Sequence, residues 1–411
     1  MSKMTGDLVE LGVGKEATRG TIVAPAYGIR WGEVEVNDRV MESLDEGRLG
    51  ILEDSRDLKV VGTLAEGTVS GPVRDKFIGL FLLSLFGTNT DSGPADSLYT
   101  HTLTVQQNVN HQSLSLHRKD PNGGYQMALA MISSFELSIE TDKHAMFSCD
   151  FRSKTGSVLP ASQGVVTITI ASPGVLTLSA HGLATGDAIT LATTDTLPTG
   201  LVAGTTYYVV AVNANTFSLA TTLANALAST KINTSVGQAG VHTLTLVSRY
   251  IAYATENIFL PQHAAFKLAS TQAGLDGATA IKVRSATLTI ESEAEDDRRL
   301  GSVAQEDIVN KGFSVSLEVV IPRDAETYIT ALKAGTAYAA RLDMQNTDAL
   351  VGVSSNPRLY FDLHQVVLES SDTDVSKGDL ALQTLVFKAT YKETDSAMIK
   401  GYLLNGLASI T

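Results

Sequence analysis

The chain has 411 residues, of which 44% are hydrophobic and 18% are charged, so it is long enough for two or three domains and is neither a disordered nor a coiled-coil protein. Its 31 Lys and Arg residues against 44 Asp and Glu residues give a formal net charge of −13, the wrong sign for a protein that holds nucleic acid by neutralising phosphates. The single cysteine, Cys149, excludes an internal disulfide and a cysteine-clustered metal site.

Two further features concern membranes and fold class. The longest apolar stretch, Phe77 to Phe86, is about half the length of a membrane-spanning helix, and the opening MSKMTGDLVE lacks the apolar core of a signal peptide. We therefore expect no membrane contact. Thr, Ser, Ala, Val and Gly are abundant and long helical patterns are scarce, which favours a protein of many short strands.

The first part of the chain joins an acidic segment to a short apolar one. From Glu33 to Lys59 nine acids stand against four bases, and we expect a loop there. Arg74-Asp75 opens FIGLFLLSLFG, which predicts a short helix with Asp75 as N-cap and Gly87 just past its end. This helix is apolar nearly all round, so we expect burial on both sides, in its own core, against an inserted domain or against a neighbouring subunit.

Charge nearly disappears in the middle of the chain. From Gly164 to Val247 the charged residues are Asp187, Asp195 and Lys231, and this change of composition indicates a separate domain over 164–247. Alternating segments between turn residues predict six strands there. The segments are VVTITI from Val165, VLTLS from Val175, DAITLA from Asp187, TYYVVAV from Thr206, TFSLA from Thr216 and HTLTLV from His242.

His181 is the one residue of this domain with a conceivable chemical role. It lies in a Gly-flanked turn near Asp187, which permits a metal-binding or catalytic interpretation. No second His or Cys follows at ligand spacing, so a structural turn is the favoured interpretation.

The last part of the chain repeats the order of the first. Arg-Leu-Gly occurs at Arg48–Gly50 and again at Arg299–Gly301, and from Glu291 to Asp307 seven acids stand against two bases. Arg323-Asp324 opens AETYITALKAG, whose apolar residues lie on one helical face, as in an outer helix. Period-two patterns around both helices indicate half-buried strands at Phe135–Ile139, Phe313–Ile321 and Leu385–Tyr391.

These patterns predict a mainly β protein. Residues 1–163 and 248–411 form two tandem β-sandwich or partial-barrel units, each with one short helix, and a small all-β domain is inserted between them. Enzyme motifs are incomplete: Gly12–Lys15 lacks the earlier glycine and the following Ser or Thr of a phosphate loop, and Val69–Gly71 is not a nucleophile elbow. Asp296-Asp297 lacks the spacing of a calcium loop. We expect no enzymatic activity, no catalytic residue, no cofactor and no metal.

Four segments carry a family resemblance that covers both flanks. They are LGVGKEATRGTIVAP (Leu11–Pro25), TLAEGTVSGPVRDKFIGLFLLSLFG (Thr63–Gly87), VNKGFSVSLEVVIPRDAETYITALKAG (Val309–Gly335) and FKATYKETDSAMIKGYLLN (Phe387–Asn405). In this order they resemble the major tail tube proteins of long-tailed bacteriophages. The insert, with HGLATGDAITL at His181–Leu191, resembles a β-module that recurs in bacteriophage structural proteins, and this implies decoration of the exterior.

The resemblance implies a structural virion protein whose tail-tube-like units close into rings, which stack into a hollow tail tube for genome ejection. Two units in one chain lead us to expect trimeric, pseudo-hexameric rings, stacked helically. The implied partners are further copies of the chain and the tape measure, tail terminator and tail tip proteins, while DNA passes without specific binding. The implied location is the phage tail, and the host cytoplasm before assembly.

Two sets of site residues follow from this reading. An acidic lumen would avoid holding DNA, and the candidate lumen carboxylates lie on polar strand faces; they are Glu66, Glu136, Glu140, Glu318 and Glu369. In tail tube relatives a long loop reaches the next ring, so we expect the two acidic segments to contribute inter-ring stacking loops. Their candidate residues are Arg48, Leu49, Gly50, Arg298, Arg299, Leu300 and Gly301.

Two other structural roles remain open for the same fold. A tail completion or neck protein shares the fold without forming long filaments, and a receptor-binding tail-tip protein would share the Thr-rich strands and the insert. The repeated order of strand, acidic segment and helix favours the tube protein over the tip protein. Polymerisation into uniform filaments separates the tube protein from the neck protein.

Overall fold

The computed structural model describes residues 5–44, 58–323, 327–375 and 380–410. Within them the chain is mainly β-strand, as predicted. The first ten strands are β1 (Glu10–Lys15), β2 (Tyr27–Ile29), β3 (Glu33–Leu44), β4 (Leu58–Pro72), β5 (Gly87–Ala95), β6 (Leu98–Val105), β7 (Leu114–Asp120), β8 (Gly123–Glu140), β9 (Met146–Ser153) and β10 (Ser157–Leu159). The strands of the inserted segment are β11 (Ala161–Ile168), β12 (Leu176–Thr177), β13 (Ala188–Thr193), β14 (Thr206–Ala211), β15 (Thr216–Ala220) and β16 (His242–Ser248).

The remaining elements complete the described chain. The later strands are β17 (Ala264–Ala269), β18 (Ser285–Asp297), β19 (Asp307–Pro322), β20 (Ala337–Gln345), β21 (Arg358–Asp374), β22 (Leu382–Ala389) and β23 (Ile399–Asn405). The α-helices are α1 (Ile78–Phe86), α2 (Leu223–Leu227) and α3 (Thr327–Ala334). Short 3₁₀ turns occur at Gly6–Leu8, Pro261–His263, Gln272–Gly274 and Glu393–Asp395.

The chain folds into two compact units that each collect separate segments. The first unit contains residues up to Ile29 together with Leu114–Ala130 and Thr155–Tyr253. The second unit contains Arg30–Ser113, Met131–Lys154 and the residues from Ala254 onward. Composition predicts a different division, with domain boundaries at 163/164 and 247/248, and that division stays a prediction.

The first unit contains the closed barrel of the inserted segment. All six strands predicted there are present, in the order β11-β12-β15-β14-β13-β16, and β16 pairs with β11 to close the barrel. Alternating apolar residues point inward because successive side chains of a strand face opposite sides; they include Ile189, Val209, Phe217, Leu244 and Leu246. The same unit holds a small antiparallel sheet in which β10, the first half of β8, β7, β1 and β2 pair in turn.

The second unit is built on a long antiparallel sheet. Its strands pair in the order β3-β4-β9-β8-β18-β19-β22-β21, to which β8 contributes Met131–Ser138 against β9 and Ser134–Glu140 against β18. The first half of β21 also pairs with β20 and β23. The sheet therefore joins strands from both flanks of the insert through the contact of β8 with β18.

One pairing pattern occurs twice along the chain. The first copy pairs in the order β3-β4-β9-β8, and the second copy pairs in the order β18-β19-β22-β21. The corresponding strands β4 and β19 each end at a proline, Pro72 and Pro322. The bulges also correspond: β8 omits Ser133 from its pairing with β9, and β21 omits Glu369 from its pairing with β22. Bulges change the direction of a strand and are specific features of a fold. The repeated order seen in the sequence thus has a counterpart in strand pairing.

Helix α1 lies in the core of the second unit. All nine of its residues are buried, and the rings of Phe77 and Phe81 lie 5.4 and 6.0 Å from that of Phe147. The sequence left three possible surroundings open for this helix, and the contacts with Phe147 place it in the core of its own unit. Gly87 caps the helix C-terminus with φ of 88°, a left-handed conformation that glycine adopts at little cost.

The predicted N-cap of α1 is wrong. The carboxylate of Asp75 accepts hydrogen bonds from the backbone N–H and side-chain amide of Asn257, at 2.8 and 2.7 Å. The Phe77 N–H at the helix start instead donates to Glu256 at 2.9 Å. A carboxylate distant in sequence thus takes the role expected of the local one. Asp324, the corresponding residue before α3, lies outside the described residues.

Candidate functional site

A single polar face extends across the long sheet of the second unit. Residues directly opposite one another on paired strands share a face, so the pairing register assigns side chains to it. Glu66 lies opposite Arg152, Glu136 lies opposite Ser148 and Thr289, and Glu318 lies opposite Thr287. The alternate positions, such as Phe135 and Leu288, are buried. The sheet therefore has one core face and one polar face.

The structure brings four of the five candidate lumen carboxylates together on this face. Glu66, Glu136 and Glu318 are placed there by the pairs above, and Glu140 joins them because it lies opposite Ser285. Glu369 is different: it is the residue omitted at the bulge of β21, so the register assigns it no partner. That these carboxylates line a lumen stays a prediction.

The polar face carries more acids than the sequence suggested. The same register adds carboxylates on four strands of the sheet; they are Glu33, Glu35, Asp150, Glu291, Asp372 and Asp374. Basic side chains on this face include Arg39, Arg152 and Lys388. Arg39 forms an ion pair with Glu66, and Arg152 lies 3.5 Å from Asp296. The balance remains negative, and such a surface repels phosphate groups.

The two acidic segments form strands over much of their length. Glu33–Leu44 is β3, and β18 extends to Asp297, so the expected loops are hairpin arms. The physical reason is the alternation of valines with acids, as at Val34 and Val36, which suits a strand with one polar face. Arg48, Leu49 and Gly50 lie outside the described residues.

The remaining stacking candidates lie at the tip of the hairpin between β18 and β19, and their surroundings differ. Leu300 is fully exposed, and Arg299 is exposed and bonds Asp297 at 3.0 Å, a hydrogen bond that raises the pKa of the Arg299 guanidinium. Gly301 adopts φ of 94° and allows the turn. Arg298 contacts the sulfur of Met41 and is thus engaged with the β3–β4 hairpin of the same chain.

Sequence reasoning missed an apolar surface on the hairpin of β3 and β4. Several large apolar side chains there are about half exposed: Val40, Leu44, Leu58, Val60 and Val61. Exposed apolar groups that cluster in this way mark contact surfaces. The signal was present in the sequence as Val and Leu residues within an acidic stretch, but the stacking role expected of this segment was argued from its charged residues.

His181 has a structural role in the barrel turn. Its Nε2 lies 2.9 Å from the carbonyl oxygen of Asn213, and its Nδ1 accepts the Leu183 N–H at 2.9 Å. The ring packs edge-on against Phe217. Both ring nitrogens are therefore engaged by the turn, in line with the favoured interpretation.

In the described ranges, no group of three or more His, Cys, Asp and Glu side chains is arranged to hold a metal ion. No helix in the part of the chain that the structure describes is long and apolar enough to cross a membrane.

Comparison with known proteins points to one family. A family model described as phage tail tube protein matches residues 6–389. Among solved structures, the chain is similar to one titled "Crystal structure of Hcp protein", with 14% sequence identity, coverage of 30% of this chain and 86% of that chain, and a TM-score of 0.19. No curated protein matches the sequence.

Proposed function

This chain belongs to the phage tail tube protein family, and from that premise we propose that it polymerises as stacked rings into the hollow tail tube through which the phage genome is ejected. Membership of this family makes it a structural component of the virion tail. We assign it no catalytic step, and we place it in the host cytoplasm before assembly.

The observation that carries the proposal is the doubled pairing pattern. One chain holds two copies of a four-strand arrangement, and β8 of the first copy pairs with β18 of the second over Ser134–Glu140 and Ser285–Glu291. A contact of this kind between copies can recur between chains and generate a closed ring by rotation. Two copies in each chain support a trimeric ring with pseudo-sixfold symmetry.

The polar sheet face is the proposed lumen surface. Its excess of carboxylates, among them Glu66, Glu136 and Glu318, disfavours phosphate contacts, and each such contact would add affinity for DNA. DNA therefore passes without specific binding.

The two hairpins are the proposed stacking elements. The exposed apolar side chains of the β3–β4 hairpin and the exposed Leu300 would be removed from water by a neighbouring ring, which is favourable in proportion to the area covered. Among the described residues, Arg299 is the basic side chain that we propose to pair with acids of the adjoining ring. Further partners are the tape measure, tail terminator and tail tip proteins.

The inserted barrel is the proposed exterior decoration. Ala161 of β11 pairs with Leu246 of β16, so the two ends of the insert are adjacent and the barrel can be replaced by a short linker. We expect a chain lacking 164–247 to form tubes of normal diameter. Loss of assembly would instead assign the barrel a part in the ring.

The test is native mass spectrometry and negative-stain electron microscopy of the full chain across a concentration series. We expect rings of three chains and hollow tubes of constant diameter with regular striations. Rings of six chains would refute the trimer. Monomers or single rings that never stack, at any concentration, would refute the tube role in favour of a tail completion or tip role.

A further inference from the structure

The join between β8 and β18 is a template for a contact between chains. In it, Phe135 and Leu137 lie opposite Ile290 and Leu288 on the core face, and all four side chains are buried. On the polar face, Ser138 lies opposite Thr287. The join is thus apolar on one side. On the other side each carboxylate faces a Ser or Thr hydroxyl, so no two acids lie directly opposite each other.

Each strand of the template has an equivalent elsewhere in the second unit. Two residues before Pro322, Val320 lies opposite Ser285; two residues before Pro72, Ser70 lies opposite Glu33. Glu33 of β3 therefore corresponds to Ser285 of β18, which places all of β3 in register with β18.

The bulges give the corresponding register for the other strand. After the omitted Ser133, β8 resumes its pairing with β9 at Ser134; after the omitted Glu369, β21 resumes its pairing with β22 at Ser370. Ser370 therefore corresponds to Ser134, and Asp374 corresponds to Ser138.

Both equivalent strands form an outer edge of the sheet in the single chain. Within the described residues, β3 pairs only with β4, and Ser370–Asp374 of β21 pairs only with β22. Edge strands present unpaired backbone groups and readily pair with another chain. These edges also leave apolar side chains partly in water, since Val34 and Val36 are half-buried and Val375 is 66% exposed.

We infer that β3 of one copy pairs with Ser370–Val375 of a second copy in the register of the β8–β18 join, which places Asp374 directly opposite Glu35. The inference rests on the proposed function and specifies its ring contact. In this register Asp372 lies opposite Asn37, and the exposed Val375 meets Val34. The occupant of both edges is another copy of this chain.

The contact between chains differs from its template in charge. Where Ser138 faces Thr287 within the chain, Asp374 faces Glu35 between chains. Like charges directly opposite on paired strands destabilise the pair, and dissolved salt screens this repulsion. Ring closure is therefore held back at low ionic strength and promoted by salt.

The register is tested by disulfide cross-linking of the full chain under mild oxidation. Asn37→Cys combined with Asp372→Cys places two thiols opposite each other across the contact, at the Cβ separation of about 4.5–5.5 Å from which a disulfide forms with a small adjustment. We expect a ladder of one, two and three cross-linked chains that stops at three.

Two further pairs provide the controls. Glu136→Cys with Thr289→Cys, the template positions, should form the bond within one chain. Asn37→Cys with Ser370→Cys, two residues out of register, should cross-link several-fold less. The native Cys149 is buried and does not compete. Tubes that form while the Asn37 and Asp372 variant fails to cross-link would overturn the register and leave the tube function intact; absence of rings from the wild-type chain would refute the function itself.

The charge of the contact is tested by the concentration at which rings form. At low salt, Glu35→Gln should lower that concentration by roughly two- to fivefold for each contact, and the difference should vanish near 1 M salt. Asp195→Asn, an exposed acid of the barrel, changes the net charge equally and should have no effect. Equal behaviour of the Glu35 variant and the wild type at low salt would overturn the repulsion.

Discussion

The guanidinium of Arg249 lies 2.7 Å from the carboxylate of Asp187, and the two side chains are 6% and 0% exposed. Arg249 also donates to the carbonyl oxygen of Gly182 at 2.8 Å and to Gln126 at 3.3 Å. Asp187 further accepts the Tyr250 N–H at 2.9 Å. The pair therefore ties the end of the barrel to β8 within the first unit.

Replacing Arg249 with Met should destabilise the base of the barrel. The change leaves the Asp187 carboxylate buried without its cation, and loss of one partner of a buried pair costs about 3–5 kcal/mol. Hydrogen exchange measured by mass spectrometry on the full chain should show faster exchange in β13 and β16. The exposed-acid variant Asp195→Asn serves as control, and unchanged exchange in the Arg249 variant would show that the pair contributes no stability.

Asp96 makes the loop at 351–355 sensitive to acid. Its carboxylate accepts the N–H groups of Val353 and Ser354 at 2.9 and 2.6 Å and that of Ser355 at 3.0 Å, and these bonds lower the pKa of Asp96 to about 2. A carboxyl with a lowered folded-state pKa stabilises the fold above its ordinary pKa. That stabilisation is lost as the pH falls from about 4 to about 2.

The measurement is hydrogen exchange of the 351–355 segment from pH 7 to pH 2, corrected for intrinsic rates. In the wild type, protection should fall between about pH 4 and pH 2. Asp96→Asn should lower protection already at pH 7 and remove that acid step, whereas Asp142→Asn, a change in an exposed turn, should do neither. Constant wild-type protection over this range would contradict the assignment.

Phe147 supports helix α1, and its loss should be costly. The ring is 1% exposed and packs between Phe77 and Phe81. Phe147→Ala therefore leaves a cavity and should lower the free energy of unfolding by about 3–5 kcal/mol. Denaturant unfolding of the unassembled chain measures the change. Lys333→Ala on the exposed side of α3 should alter stability by less than about 0.5 kcal/mol. A similar effect of both changes would show that α1 is not packed as described.

The polar sheet face should control the speed of DNA release. Glu136→Lys together with Glu318→Lys replaces two carboxylates with cations that attract phosphate, so we expect normal tubes and ejection slowed several-fold at low salt. Dye-detected DNA release from virions carrying the variant measures the rate. Asp195→Lys, on the barrel, provides the control for a single charge reversal away from the sheet face. Ejection at the wild-type rate would show that these carboxylates do not line the lumen.

Much of the local structure follows from residue pattern alone. The six barrel strands were predictable because each alternates apolar and polar residues between turn residues. The burial of α1 was predictable because residues such as Leu80 and Phe81 leave no polar face. Both features depend on the periodicity of a short segment, which a sequence displays directly.

The cap of α1 shows where local reasoning fails. Asp75 has the residue type and position of an N-cap, yet its carboxylate accepts hydrogen bonds from Asn257, and Glu256 accepts the Phe77 N–H. Burial raises the pKa of the Glu256 carboxyl, an effect that requires the surrounding core. Contacts between residues so far apart in the chain leave no periodic trace in a sequence.

The sequence by itself determined that this protein is β-rich, that its middle contains six short strands and that its flanks repeat one order of elements. Only the tertiary structure decided that β8 pairs with β18 and that Glu136 and Glu318 share a face. The physical reason is that a period of two gives every strand two faces but leaves its partner and register open. Partner and register are set by hydrogen bonds and core packing between segments that are distant in the chain.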